Sequence, residues 1–135
     1  MNKIVFDSFA LIALFRKELG FEIVRDLLVK IANDESEGFI SAINVGEIYY
    51  MIARKSNEKY AEAALTAIKK MPVQIQEPDL KMCVDAASMK ARHPISYADA
   101  FAATLAISRK AVLITGDREF ESLSKVHGFS VKFIS

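Results

Sequence analysis

The sequence holds a single cysteine, Cys83, in 135 residues. That excludes an internal disulfide and fits a reducing compartment. No stretch approaches the ~20 uncharged apolar residues of a membrane-spanning helix, so no membrane role is expected. The run from Ile4 to Phe15 follows Lys3 and is apolar, as in an export signal. Asp7 interrupts it, however, and no small-residue cleavage site follows, so a cytoplasmic protein is expected. Charge of one sign is also missing. The net charge is +1, so no global basic field marks a nucleic-acid binder, and any such contact must use a local patch. Internal repeats, low-complexity tracts and linkers are absent as well. The simplest organisation is one domain, 1–135, long enough to bury roughly two-thirds of its unfolded surface. What the chain has in slight excess is apolar residues, at 52%. That surplus suggests that a partner or a second copy covers part of the surface.

Hydrophobic patterning alternates between two periods. Ile4, Val5 and Phe6 read as a strand buried on both faces, as in a parallel sheet. Ala111 to Thr115, A-V-L-I-T, reads as a second. Phe39-Ile40, Val73 to Gln76 and Val131 to Ile134 are shorter strand candidates. Helical spacing follows Ser8 up to Gly20, then runs over Phe21 to Ala32, where Val24, Leu27, Leu28 and Ile31 keep one face. Asn33 to Gly38 reads as a polar turn. Ser41 caps a helix to about Arg54, Glu58 to Met71 forms another, and Pro78-Asp79 starts one reaching about Arg92. Ser96 caps an alanine-rich helix, and Asp117 to about Lys125 reads as a short one. Strands alternating with helices predict an α/β fold: a mainly parallel central sheet of four to five strands, with helices on both faces.

Four acids stand out on this frame. Asp7 ends the first strand, and Asp117 follows the strand at Ala111. Carboxyl ends of strands are where open α/β sheets place ligands. Each of the two is also a good N-cap for the helix after it. Asp99 lies three residues after Ser96, which makes an approximate capping box. Glu47 sits mid-helix among Val45, Ile48, Met51 and Ile52, with Asn44 and Met51 as neighbours one turn away. Neither is positive, so this Glu either faces solvent or asks for a cation. In a parallel sheet all four would converge on one edge. Four crowded carboxylates repel one another strongly, and a divalent cation resolves the repulsion. Hard oxygen ligands without His or Cys favour Mg²⁺ or Mn²⁺.

The segments V-F-D-S-F-A-L-I-A-L-F, S-A-I-N-V-G-E-I-Y-Y, I-S-Y-A-D-A-F-A-A-T-L-A and V-L-I-T-G-D-R-E-F, in this order, resemble the PIN-domain nucleases over nearly the whole chain. The small size resembles the toxin ribonucleases of prokaryotic toxin–antitoxin pairs. The resemblance implies a metal-dependent endoribonuclease with an RNA substrate, a protein antitoxin and a homodimeric state. It implies that Asp7, Glu47, Asp99 and Asp117 form the acidic quartet holding Mg²⁺ or Mn²⁺. Thr115 matches the small hydroxyl residue two before the last Asp, and Ser41 and Asn44 match polar positions ahead of the Glu. Thr115 and Asn44 are candidate donors that fix the carboxylates. Many members carry a further Asp where this chain has Glu119, a departure that sets Glu119 outside the expected ligand set.

Arg16, Lys17, Arg54, Lys55, Arg92 and Arg118 are candidates for phosphate contact. Tyr49, Tyr50 and Met51 look exposed and are candidates for a dimer interface, and His93 and His127 read as loop residues. Cys83 reads as a buried small hydrophobe. Rival readings are weaker. A haloacid-dehalogenase-type phosphatase needs a second Asp where Phe9 stands. A receiver domain needs adjacent early acids and a late lysine, and neither is present. A catalytically silent binding module of the same fold remains the alternative from another class.

Overall fold

The computed structural model describes residues 2–135. Five strands, β1 (Asn2–Phe6), β2 (Ser36–Ser41), β3 (Val73–Gln76), β4 (Val112–Thr115) and β5 (Val131–Phe133), form one sheet of order β3-β2-β1-β4-β5. Every pairing is parallel. Seven helices are described: α1 (Ser8–Arg16), α2 (Phe21–Ala32), α3 (Ala42–Lys55), α4 (Glu58–Lys70), α5 (Leu80–Arg92), α6 (Tyr97–Arg109) and α7 (Phe120–His127).

The near-continuous apolar runs of β1, β2 and β4 are explained by burial on both sides. Ile4, Phe6, Ile40 and Ile114 pack with α1, α2, α3 and α4. Their alternates Val5, Phe39 and Leu113 pack with residues of α5, α6 and α7. The alanines of α6 serve this arrangement. Ala98, Ala102, Ala103 and Ala106 are all buried, so the helix lies close against the sheet.

Four sequence expectations shift. The turn expected over Asn33 to Gly38 ends early, because Ser36, Glu37 and Gly38 pair in parallel with Asn2, Lys3 and Ile4. A side chain on Gly38 would meet Ile31 Cδ1 at 2.5 Å and Val73 Cγ1 at 2.9 Å, so this glycine makes room for packing rather than for a turn. The left-handed backbone needed for the turn falls instead on Asp34, at φ 59°. The last helix starts at Phe120 rather than Asp117, because residues 117–119 form a tight turn closed by Phe120 N–H donating to Asp117 O at 3.3 Å. His127 belongs to α7 and His93 caps α5, so neither is a plain loop residue. They hydrogen-bond through their Nε2 atoms at 2.9 Å. Cys83 is half-buried rather than buried. No helix among the described residues is long and apolar enough to cross a membrane.

The chain leaves β1 for β2 and β3 on one side, then returns to place β4 on the other. The carboxyl ends of β1 and β4 therefore flank the point where strand order reverses. Open α/β sheets form a crevice for ligands there.

Candidate active site

Asp7 is the first residue beyond β1, and its N–H donates to Ile114 O at 3.3 Å, which extends the ladder to β4. Its carboxylate is 2% exposed and bonded on both oxygens. Oδ1 accepts from Ala10 N–H at 2.9 Å, as an N-cap of α1 does. Oδ2 accepts from Thr115 Oγ1 at 2.5 Å. The capping reading and the site reading of Asp7 are thus served by different oxygens of one group.

A chain of short bonds continues from there. Asp117 N–H donates to Thr115 Oγ1 at 2.9 Å, and Glu119 N–H donates to Asp117 Oδ1 at 2.9 Å. Thr115, the last residue of β4, thereby fixes Asp7 and the turn that carries Asp117 and Glu119. Asp99 arrives from the other side on the first turn of α6, with its N–H donating to Ser96 Oγ at 3.1 Å. Glu47 projects from α3 and is half-buried, with no cationic partner among the described residues.

These side chains meet in one cleft. Asp7, Glu47, Asp99 and Asp117 all line it, together with Phe9, Met51, Lys55 and others, and its volume is about 580 Å³. Asp99, Asp117 and Glu119 can each offer a carboxylate oxygen within 4.8 Å of the others. Glu119 thus joins the acids that the sequence placed in the site. Its signal was its position two residues after Asp117, where the turn doubles back.

Electrostatics records the crowding. Burial pushes the Asp7 carboxyl up to about 7, against the pull of its bonds from Thr115 and Ala10, and Asp99 and Asp117 push it further up. Burial also raises Asp99, to about 6, with Asp117, Glu47 and Glu119 adding to the rise and Ser96 opposing it. Two carboxyls raised by burial and by their acidic neighbours, in a cleft of hard oxygens without His or Cys, fit a divalent cation such as Mg²⁺ or Mn²⁺.

The other expected polar residues lie elsewhere. Ser41 caps α3, accepting from Ile43 N–H at 3.2 Å. Asn44 is fully buried. Its Nδ2 donates to Ser8 Oγ at 2.9 Å and to Ala98 O at 3.3 Å, tying α1, α3 and α6 together without touching a carboxylate. Of the basic candidates, only Lys55 lines the cleft. Arg16 lies 3.8 Å from Glu18, Arg92 bonds Ser88 O, and Arg118 stacks on Phe133 at 4.3 Å. Of the trio expected to be exposed, only Tyr50 is. Tyr49 donates to Glu62 at 2.8 Å, and Met51 lines the cleft.

The PIN domain family model matches residues 4–126. The chain belongs to the PIN-domain family. No curated protein sequence matches it. Solved structures share the PIN fold at low sequence identity. VapC20 from Mycobacterium tuberculosis, described as a sarcin-ricin loop cleaving toxin, superposes with a TM-score of 0.75 at 18% identity, covering 93% of this chain and 95% of its own. DNA-bound VapBC from Salmonella typhimurium gives 0.73 at 16% identity, with both chains covered completely at 100%. VapBC2 from Rickettsia felis, bound to a promoter DNA fragment, gives 0.73 at 14%, covering 97% and 98% of the two chains.

Proposed function

We propose that this PIN-domain protein is a Mg²⁺- or Mn²⁺-dependent endoribonuclease, the toxin of a toxin–antitoxin pair. The observation that carries the reading is the convergence of Asp7, Glu47, Asp99 and Asp117 on one cleft at the strand-order reversal. Toxin–antitoxin complexes among the similar structures support the biological role. The antitoxin is a protein partner, the toxin pairs with a second copy of itself, and both act in the cytoplasm.

Asp7 and Asp99 are the central metal ligands, with Asp117, Glu47 and Glu119 completing the oxygen set. A cation held by these oxygens would supply Lewis-acid chemistry, activating a water molecule and offsetting charge on the phosphate. Asp7 must be ionised to serve, and Thr115 favours that form by donating to Oδ2. Thr115 also holds the Asp117 backbone, so two acids keep a fixed separation while substrate binds. Glu47, without a cationic partner, is free to orient the attacking water.

The test is cleavage of a mixed RNA pool with Mg²⁺, with Mn²⁺ and with a chelator. Cleavage that needs metal and is lost in Asp7→Asn is expected. Asn caps a helix about as well as Asp, so a capping role alone would leave activity intact. Wild-type protein that cuts no RNA under any metal would overturn the nuclease reading in favour of a silent binding module.

A further inference from the structure

Phe9 stands two residues after Asp7 and is 44% exposed, on the wall of an acidic cleft. An aromatic ring left half in water gains little for folding, since the burial term scales with the area removed from solvent. The ring is nonetheless seated with care. It lies on Gly116, where a side chain would place its first carbon 2.1 Å from Phe9 Cε1, 2.5 Å from Cδ1 and 2.8 Å from Cζ. The backbone at Gly116 is not left-handed, so its conformation does not call for glycine. What calls for it is the Phe9 ring. Gly116 in turn joins Thr115, which bonds Asp7, to Asp117, and the ring lines the same cleft as both acids.

The same cleft carries one cation. Among the described residues that line it, Lys55 alone is basic, and it makes no ion pair. It sits two turns beyond Glu47 on α3, with Met51 between them on the same face. A cleft walled by acids repels a polyanion, so substrate must be held by contacts other than charge on most of its surface. A flat aromatic face meets that need, because every base has a π-face and stacks without regard to sequence.

We propose that Phe9, seated on Gly116, is a stacking platform for one unpaired base next to the scissile phosphate, with Lys55 taking a neighbouring phosphate of the same strand. This rests on the ribonuclease reading and deepens it. The platform requires a base free of its duplex partner, which is what distinguishes it in the test below.

Phe9→Trp supplies the probe, since the chain has no tryptophan of its own. An RNA oligonucleotide is titrated with Mg²⁺ into Phe9→Trp protein that also carries Asp7→Asn, the substitution expected to stop cleavage. Stacking quenches the indole, and a duplex of the same sequence does not. In cleavage assays Phe9→Ala raises KM about ten-fold or more while kcat moves less, and Phe9→Trp restores KM. Lys55→Gln lowers the salt dependence of KM by about one phosphate contact. Gly116→Ala weakens binding when Phe9 is present and adds little in the Phe9→Ala background, because the three atoms nearest the added methyl all belong to that ring. Wild-type cleavage with an unchanged KM in Phe9→Ala overturns the platform and leaves the nuclease reading standing. Quenching by duplex and single strand alike also overturns it. Wild-type protein that cuts no RNA removes the nuclease reading, and the platform with it.

Discussion

Thr115 is a single hydroxyl on which two acids depend. It donates to Asp7 Oδ2 in a buried bond and accepts from Asp117 N–H in a half-buried one. Thr115→Val keeps the shape and removes both bonds. Asp7 then loses the strongest interaction favouring its charged form, and its pKa rises above about 7. Metal ligands must be deprotonated, so affinity at neutral pH falls. RNA cleavage should drop about 10- to 100-fold. The acidic limb of the pH–rate profile should move to higher pH. A lowered rate with an unmoved limb would show that Thr115 serves packing only. At this scale much was legible in the sequence. Asp7 could be placed because it ends an apolar run, and Thr115 because it ends another. Glu119 was not, because its participation depends on a turn closed by its own N–H on Asp117 Oδ1. Nor was Asn44, whose partners lie 36 and 54 residues away.

Strand β2 is the element that most departs from the sequence pattern. Ser36, Glu37 and Gly38 look like the end of a turn, yet they pair along β1 because the sheet supplies parallel partners. Gly38 faces Ile31 of α2 and Val73 of β3, both at less than normal contact distance for an added carbon. Gly38→Val should therefore force α2 away from the sheet, a cost of about 1–3 kcal/mol for an overpacked core. The urea midpoint should fall with an unchanged slope. A midpoint equal to wild type would mean that Ile31 and Val73 yield freely. Helix α6 was easier to place, because Ser96 caps it and its alanines announce a close approach. Its first turn presents Asp99 to the cleft for the same reason.

On the scale of the whole molecule, the metal-free fold carries acids it would rather keep protonated. The Asp7 carboxyl titrates at about 7 in the folded state against an ordinary value of 3.8, and Asp99 at about 6. The folded state therefore binds protons that the unfolded chain has released. Stability without metal should fall as pH rises from 3.8 to about 7, and level off above that. A divalent cation held by these carboxylates would bind the ionised, folded form, so millimolar Mg²⁺ should restore much of the loss near neutral pH. Asp7→Asn removes one of these groups. Its metal-free melting temperature should exceed wild type at neutral pH, and the two should converge toward pH 4, where wild-type Asp7 is protonated. A flat metal-free profile across that window would refute the rise that burial, and then the neighbouring acids, give Asp7 and Asp99.

The sequence by itself determined the class of fold and marked the acids that the cleft gathers. Period-2 and period-3.6 apolar patterns are local, and so are strand ends and caps, so the alternation of strands and helices could be read directly. Asp7 and Asp117 could be singled out as acids of the cleft, because a carboxylate after a buried strand has few places to go. Tertiary structure decided what depends on distance through space. The strand order, which sets β1 beside β4, brings Asp7 to Thr115 across 108 positions of sequence. It also sets the Phe9 ring on Gly116 and turns Met51 inward to the cleft. None of these contacts has a periodicity of its own. They exist only because a twofold-covered sheet leaves one open edge, where whatever the strands and helices carry at their ends must meet.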